Sequence, residues 1–280
     1  IFVIRFFYSF SNFRNKISAS YKKEKINTNY FNEKEIDIYN SIKKIDEIGY
    51  SPIYNINSNV KEKFLDMILN SKNLHTKKLN INPDEVLKQK NENLNQYLDR
   101  LTKLKVSRMT GFLDLNNHSL LKDFLTSKEV MSIVKNYLNT KGVSINAMYF
   151  ISNPVLNNEK QKRNDAQAFH WDNDFRKFLK LYIYLTDVDS SAGPHVFVEK
   201  THKFKERRHS LCRVYSDKSV YKYYDDIKEF TGKSGSTFFV DSYGLHKGEA
   251  PKGKSRILLN IHFGSGKILY SPGDIFHKIN

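Results

Sequence analysis

Six short stretches rich in β-branched and aromatic residues constrain the fold of this chain more than any other feature. They begin at about Val143 and read INAMYFI, AFHWD, FLKLYIYL, HVFV, STFFV and RILLNIHF. Stretches of this length and composition, bounded by turn residues, are typical of β-strands. The last stretch alternates strictly, with Ile257, Leu259, Ile261 and Phe263 on one face and Arg256, Leu258, Asn260 and His262 on the other. We therefore expect a β core in the second half of the chain.

The first 105 residues differ in character, because they are polar, rich in Lys, Asn and Glu, and short of strand patterns. Helical spacing is present in KEKFLDMIL and in PDEVLKQKNENLNQYLDRLTKL, and the second helix is predicted to begin near Pro83 and Asp84. NNHSLLKDFL and SKEVMSIVKNYL predict two more short helices. We expect an α+β protein in which a mainly helical region, 1–105, packs on a β core, 106–280, with an insertion near 201–233.

A His-x-Asp sequence and a distant histidine supply a candidate metal-ligand set. His170 and Asp172 lie in AFHWD, and His246 lies in DSYGLHKG. On a strand, residues i and i+2 point the same way, so His170 and Asp172 can reach one ion while Phe169 and Trp171 face the opposite layer. A 2-His-1-carboxylate triad holds Fe(II) on one face and leaves open positions for substrate and oxygen. None of the three residues alone indicates a metal site, but their occurrence in this order on predicted strands does.

Arg256 lies ten residues after His246, and its guanidinium can bind a carboxylate through two hydrogen bonds. Pro251 and Gly253 mark a turn between them. We therefore expect a hairpin centred near Lys252, which would place His246 roughly across from Arg256. Iron, a dicarboxylate cosubstrate and oxygen chemistry are the leading hypothesis.

Strand periodicity suggests further residues around such a site. In FLKLYIYL, the leucines and Ile183 share one face, whereas Lys180, Tyr182 and Tyr184 share the other, which could line a pocket. His195 and His202 lie in a turn region where hydrogen bonding is the commoner role, and His262 shares the face of Arg256. The insertion carries Arg207, Arg208, Arg213, Tyr221, Tyr223 and Tyr224. It is either a wall or lid over the pocket or a solvated excursion between strands.

Composition sets outer bounds on function. The formal net charge is +16, which can indicate an acidic partner such as nucleic acid. The lysines are spread along the whole chain without a nucleic-acid motif, so a compositional bias is the preferred explanation. The single cysteine excludes an intrachain disulfide and favours a reducing, cytoplasmic location. No stretch approaches a membrane span in length, and the apolar start, IFVIRFFYSF, is expected to pack on the core.

The stretch from Ala166 to Gly264 resembles the phytanoyl-CoA dioxygenase family of Fe(II)/2-oxoglutarate oxygenases. The similar segments read AFHWDNDFRKFLKLYIYLTDVD, AGPHVFVEKTHK and GSTFFVDSYGLHKGEAPKGKSRILLNIHF. SKEVMSIVKNYLNTKGVSINAMYF is similar to the helix and first core strand of the family. One segment departs from the pattern, because residues 199–203 replace the usual Pro-Gly-Ser.

The resemblance implies a double-stranded β-helix, a jelly-roll-like core with a metal near one mouth. It implies that His170, Asp172 and His246 hold Fe(II), that Arg256 pairs with the far carboxylate of 2-oxoglutarate, and that Tyr182 flanks this cosubstrate. The implied reaction uses O2 to hydroxylate a small or carrier-linked substrate and releases succinate and CO2. Asp172 stands where related halogenases have a small residue, so hydroxylation is favoured over halogenation.

Two other classes of function remain open. One is a cupin-like metal enzyme with different chemistry, against which the spacing of Arg256 speaks. The other is a jelly-roll binding module without catalysis, against which the intact ligand set speaks. Nucleic-acid demethylases that share the triad carry a second arginine six residues after the first, and here that position is His262. The substrate and the oligomeric state are not encoded in any recognisable pattern.

Overall fold

The computed structural model describes residues 24–76, 81–156, 158–174, 177–266 and 277–279. Two antiparallel sheets form the β core, as expected for a double-stranded β-helix. The apolar start of the chain, expected to pack on this core, lies outside the described residues. Within the described part, no helix is long and apolar enough to cross a membrane.

The larger sheet has eight strands and packs against five helices on one face. Its strands, in spatial order, are β3 (Tyr54–Asn55), β12 (Ser236–Val240), β8 (Phe178–Tyr184), β14 (Arg256–Gly264), β6 (Val143–Ser152), β5 (Arg108–Leu113) and β4 (Leu74–Thr76), with β15 (His277–Ile279) also paired to β6. The smaller sheet has five strands, in the order β10 (Val214–Tyr215), β7 (Phe169–His170), β13 (His246–Gly248), β9 (His195–Val198) and β11 (Ile227–Phe230). A separate two-stranded ribbon joins β1 (Lys25–Asn27) to β2 (Glu35–Asp37).

Eight helices and one 3-10 turn complete the described elements. The helices are α1 (Ile38–Ile48), α2 (Ser58–Leu69), α3 (Leu94–Lys103), α4 (Ser119–Thr126), α5 (Lys128–Leu138), α6 (Glu159–Asn164), α7 (Arg208–Leu211) and α8 (Asp217–Tyr221), and the 3-10 turn covers Pro83–Val86. Helix α1 has defined ends, because the Asp37 side chain accepts from the Asn40 amide and Gly49 ends the helix at φ 104°. A side chain at Gly49 would also collide with the ring of Phe197.

The two faces of the larger sheet pack against different parts of the protein, as the strand periodicity predicted. Leu179, Leu181, Ile183 and the odd-numbered residues of β14 pack against α1 to α5 in one continuous apolar core. The opposite face packs against the smaller sheet through Tyr184, Phe238, Phe197 and Phe230, among others. One end of the space between the two sheets is left for the candidate site.

Three expectations about secondary structure are wrong. Strands do not begin at Val143, because β5 and four shorter strands precede it. The predicted helix from Pro83 is two elements, since Asn93 and Gln96 form a reciprocal cap that starts α3 at Leu94. The expected hairpin around Lys252 does not form, because β13 belongs to the smaller sheet and β14 to the larger one.

The predicted insertion at 201–233 is also partly structured. Helices α7 and α8 and strand β10 lie within it, and β11 pairs with β9 over four residues as a regular sheet strand. The division of the chain into regions at residue 105 stays a prediction.

Candidate metal centre and cosubstrate pocket

The smaller sheet brings the three predicted metal ligands together. His246 is the cross-strand partner of His170, so the two imidazoles face the same side with ring centroids 4.3 Å apart. Asp172 follows β7 directly, and its amide donates to the carbonyl of Ser242. One ligand atom from each of the three residues lies within 4.8 Å of the other two. This separation is what three ligands around one ion require, since metal–ligand bonds near 2 Å put neighbouring ligand atoms roughly 3–4 Å apart.

Both histidines have their ring orientation fixed by the backbone. Nδ1 of His170 donates to the carbonyl of Ala168 at 3.0 Å, and Nδ1 of His246 donates to that of Gly244 at 2.9 Å. With Nδ1 protonated, Nε2 keeps its lone pair and points toward Asp172, 3.9 Å away for His170 and 3.4 Å for His246. Burial and the neighbouring His246 lower the pKa of His170 to about 3. His170 is therefore neutral at physiological pH, the state in which imidazole binds a metal.

Asp172 is held ionised by cations that surround it. The Lys180 ammonium on β8 lies 2.6 Å from Oδ2, and the guanidinium of Arg213 lies 3.3 Å from Oδ1. Burial alone would raise the pKa of Asp172, but Lys180 and His246 outweigh it and hold this pKa well below its usual range. Two imidazoles and an ionised carboxylate fit a divalent metal, and each ligand has a partner that orients it.

Arg256 lies in the same cavity, although the expected hairpin is absent. The cavity measures about 420 Å³ and is lined by residues of both sheets, including the three candidate ligands and Arg256. Nη2 of Arg256 lies close to Gly248, two residues after His246. A Cβ atom added to Gly248 would stand 3.1 Å from this nitrogen. Arg256 thus reaches the metal side of the cavity from the opposite sheet.

Two of the three side-chain nitrogens of Arg256 are buried without partners among the described residues. Its Nε and Nη1 make no hydrogen bond there, and neither does Oδ1 of the nearby Asn260. Burial lowers the pKa of Arg256, although the guanidinium group remains charged at any physiological pH. A buried, unpaired guanidinium is costly, so an anionic ligand is the simplest explanation for its retention. This observation fits a carboxylate of 2-oxoglutarate.

Tyr182 lines the cavity from β8 and contacts the ring of His195 at a centroid distance of 4.6 Å. Burial raises the pKa of Tyr182 to about 12, so its phenol stays protonated. His195 is itself a cavity residue rather than only a turn residue, and its Nε2 has no hydrogen-bond partner in the described part of the chain. In contrast, Nε2 of His202 approaches the carbonyl of Asp46 outside the cavity.

His262 shares the strand face of Arg256 but does not line the cavity. Its Nδ1 lies 3.6 Å from Asp174, and its ring packs against Phe178. From the insertion, Arg213 and Val214 line the cavity, whereas the other arginines and the tyrosines named from the sequence do not. The wall interpretation therefore applies to one short segment next to β7.

Sequence reasoning missed Arg108 and the pairing of Lys180 with Asp172. Arg108 is the first residue of β5, its guanidinium lies over the ring of Phe150 at 3.9 Å, and it donates to the backbone carbonyl of Asp165. Both Arg108 and Arg256 are in register with Ser152 of β6, one on each side. The sequence signal for strand β5 is the alternation of residues in RMTGFL. This signal is weak, because the segment contains few β-branched residues.

A jelly-roll core with two histidines and one carboxylate at its mouth is the arrangement of non-haem Fe(II) oxygenases. The family model described as Phytanoyl-CoA dioxygenase (PhyH) matches residues 76–257. The chain therefore belongs to the phytanoyl-CoA dioxygenase family of Fe(II)/2-oxoglutarate-dependent oxygenases. A search of curated protein sequences gives no match.

Solved structures with a similar fold include three enzymes that share little sequence with this chain. The epimerase SnoN, solved with Fe3+, alpha ketoglutarate and nogalamycin RO, is 11% identical with a TM-score of 0.55, over 85% of this chain and 97% of SnoN. The alpha ketoglutarate dependent carbocyclase SnoK is 13% identical with a TM-score of 0.55, over 86% and 95%. HygX from Streptomyces hygroscopicus, with nickel, 2-oxoglutarate and hygromycin B bound, is 11% identical with a TM-score of 0.51, over 80% and 86%. At these identities, the likeness establishes the fold.

Proposed function

We propose that this protein is an Fe(II)/2-oxoglutarate-dependent dioxygenase that hydroxylates a small or carrier-linked substrate. His170, Asp172 and His246 hold the iron, and Arg256 binds the far carboxylate of 2-oxoglutarate. The observation that carries the proposal is the coincidence of two features in one cavity. Three oriented ligand atoms lie within 4.8 Å, and a buried guanidinium beside them has two unpaired nitrogens among the described residues.

The residues of the chain have separate tasks in this proposal. The Ala168 and Gly244 carbonyls keep Nε2 of each histidine free for the metal. Lys180 and Arg213 keep Asp172 ionised and aligned. Tyr182 forms the aromatic wall beside the cosubstrate. Iron and 2-oxoglutarate, when bound, supply with O2 the oxidising power that inserts one oxygen atom into a substrate C–H bond, while the other oxygen atom leaves in succinate and the 2-oxoglutarate carboxyl leaves as CO2.

Asp172 supports hydroxylation over halogenation, because a halide could bind in its place only by displacing it. Arg256 supports a 2-oxoglutarate enzyme over a cupin of other chemistry, because a cupin site without a dicarboxylate has no need of a buried guanidinium ten residues after the second histidine. SnoN and SnoK are described as an epimerase and a carbocyclase, so product analysis has to separate oxygen insertion from C–H oxidation without insertion.

The test is 2-oxoglutarate turnover by purified protein supplied with Fe(II) and O2. We expect slow substrate-independent release of succinate and CO2 in equal amounts, and stimulation by fractions of a metabolite extract. With 18O2, the stimulated product should carry one labelled oxygen atom, whereas an epimerised or cyclised product would carry none. Asp172→Ala serves as the inactive control. Absence of succinate release from protein shown to bind both iron and 2-oxoglutarate would contradict the proposal.

A further inference from the structure

The cavity has an excess of positive charge beyond what the cosubstrate requires. Its lining contains five cationic side chains and two carboxylates, an excess of three, namely Arg108, Arg163, Lys180, Arg213 and Arg256 against Asp165 and Asp172. Fe(II) and the 2-oxoglutarate dianion carry equal and opposite charges, so binding both leaves this excess unchanged. A cationic cleft with low-dielectric walls concentrates anions.

The excess is not a by-product of the basic composition. The chain contains 36 lysines and ten arginines. In the described part of the chain, four arginines but one lysine line the cavity. A general bias toward lysine would give the opposite ratio. Arginine is the residue whose planar donor fork matches carboxylate and phosphate oxygens.

Three of the five cations are committed inside the cavity. Lys180 is paired with Asp172, and Arg108 donates to the Asp165 carbonyl while stacking on Phe150. Arg256 is assigned to the cosubstrate. The other two reach solvent: Arg163 is an exposed residue in the last turn of α6, and Arg213 pairs with Asp172 but keeps a side chain that is 49% exposed.

Arg213 is placed beside the metal centre by the sheet itself. Its neighbour Val214 is the cross-strand partner of His170. The Arg213 guanidinium lies 3.3 Å from Asp172 and also donates to the carbonyl of Trp171 at 3.2 Å. A substrate group bound by this guanidinium would therefore lie within a few ångströms of the carboxylate that would coordinate the ion.

We propose that the substrate carries an oxyanion, a carboxylate or a phosphate, which Arg213 and Arg163 bind at the cavity mouth next to the metal. The inference rests on the proposed function, because it assumes that Arg256 is occupied by 2-oxoglutarate. It names the chemical class of the substrate.

Matched small probes test this inference without turnover. Protein loaded with Mn(II) and saturated with 2-oxoglutarate under argon is titrated calorimetrically with hexanoate, hexyl phosphate, hexanamide and hexylammonium. We expect the two anions to bind at least about tenfold more tightly than the amide, as for a charge-assisted hydrogen bond of about 1.5 kcal/mol or more, and the ammonium probe not to bind. Added salt should weaken the anions only, since the mouth is solvated.

Substitutions of single arginines test where the anionic probe binds. Arg213→Gln and Arg163→Gln should each weaken hexyl phosphate binding about tenfold, and Arg213→Lys should retain part of it. Arg207→Gln is the matched control, because Arg207 is an exposed arginine of the same insertion that does not line the cavity. Mn(II) affinity measured on every variant separates a direct loss of anion binding from a disturbed Asp172.

Four results would overturn the inference. They are equal binding of hexylammonium and hexanoate, unchanged affinity in both arginine variants, displacement of 2-oxoglutarate by the probes, and binding of a random oligonucleotide in place of the small anions. Failure of 2-oxoglutarate itself to bind the Mn(II) protein would instead contradict the proposed function, and the probe titrations would still report on Arg163 and Arg213.

Discussion

Replacing Arg256 by leucine should remove most of the affinity for 2-oxoglutarate while sparing the fold. The side chain is 5% exposed, and two of its nitrogens have no partner among the described residues. In the leucine variant, the far carboxylate of 2-oxoglutarate would enter the cavity without the guanidinium proposed to pair with it. Loss of one partner of such a pair costs about 2–5 kcal/mol. We therefore expect the Kd of 2-oxoglutarate to rise by roughly 30-fold or more.

The same substitution should not destabilise the protein without ligand. Arg256 is a buried charge, and replacing an uncompensated buried charge with an apolar side chain is neutral or stabilising. The thermal midpoint of the leucine variant should thus equal or exceed that of the wild type. Arg256→Lys should recover only part of the lost affinity, because an ammonium cannot reproduce the planar donor fork.

The assay is anaerobic titration calorimetry of 2-oxoglutarate into Mn(II)-loaded protein, with thermal unfolding measured in parallel. Lys254→Met is the matched control, since Lys254 lies two residues away, is 63% exposed and pairs with Asp189. Its 2-oxoglutarate affinity should be unchanged. A leucine variant that binds 2-oxoglutarate as tightly as the wild type would refute the assignment of Arg256.

Three further predictions concern the metal, the reaction and the pH dependence. Asp172→Ala or His246→Ala should abolish turnover and weaken Fe(II) binding by at least an order of magnitude, with an unchanged circular dichroism spectrum; calorimetry showing wild-type affinity would contradict this. Mass spectrometry should find no chlorinated product from wild-type protein in high chloride, because Asp172 fills the position that halide would need. Burial and Lys180 lower the pKa of His262 to about 3, so below about pH 6.5 the unfolded state binds a proton that the folded state does not, and stability is lost as pH falls. In metal-free protein, His262→Asn should therefore reduce the slope of unfolding free energy against pH between pH 4 and 6 by up to about 1.4 kcal/mol per pH unit. The quantity to compare is the difference in slope between wild type and variant. Asp174, whose pKa burial raises to about 6, contributes a slope of opposite sign in both proteins.

Strand periodicity predicted which residues share a face, because side chains alternate on any strand whatever its partners. This sufficed to separate the apolar face of β14 from the face of Arg256 and Asn260, and to place Lys180 with Tyr182. It could not tell which strands pair. The segment between His246 and Arg256 reads as a hairpin, yet it crosses from one sheet to the other.

Contacts between separate elements account for what the sequence did not reveal. Arg108 meets Asp165 across 57 residues, and Lys180 on β8 of the larger sheet meets Asp172, which follows β7 of the smaller sheet. No local pattern encodes either pairing. The positive charge of the cavity was likewise hidden, because its arginines come from β5, α6, the insertion and β14, and become neighbours only in the folded chain.

The most direct test of the metal centre is anaerobic absorption spectroscopy of protein titrated with Fe(II) and then with 2-oxoglutarate. Bidentate chelation of Fe(II) by a 2-oxo acid gives a visible charge-transfer band. We predict that wild-type protein develops this band at stoichiometric iron, that Asp172→Ala and His246→Ala do not, and that Arg256→Leu needs a higher 2-oxoglutarate concentration to reach it. A wild-type protein that binds both ligands without the band, or ligand variants that retain it, would contradict the assignment of His170, Asp172 and His246 as the iron site.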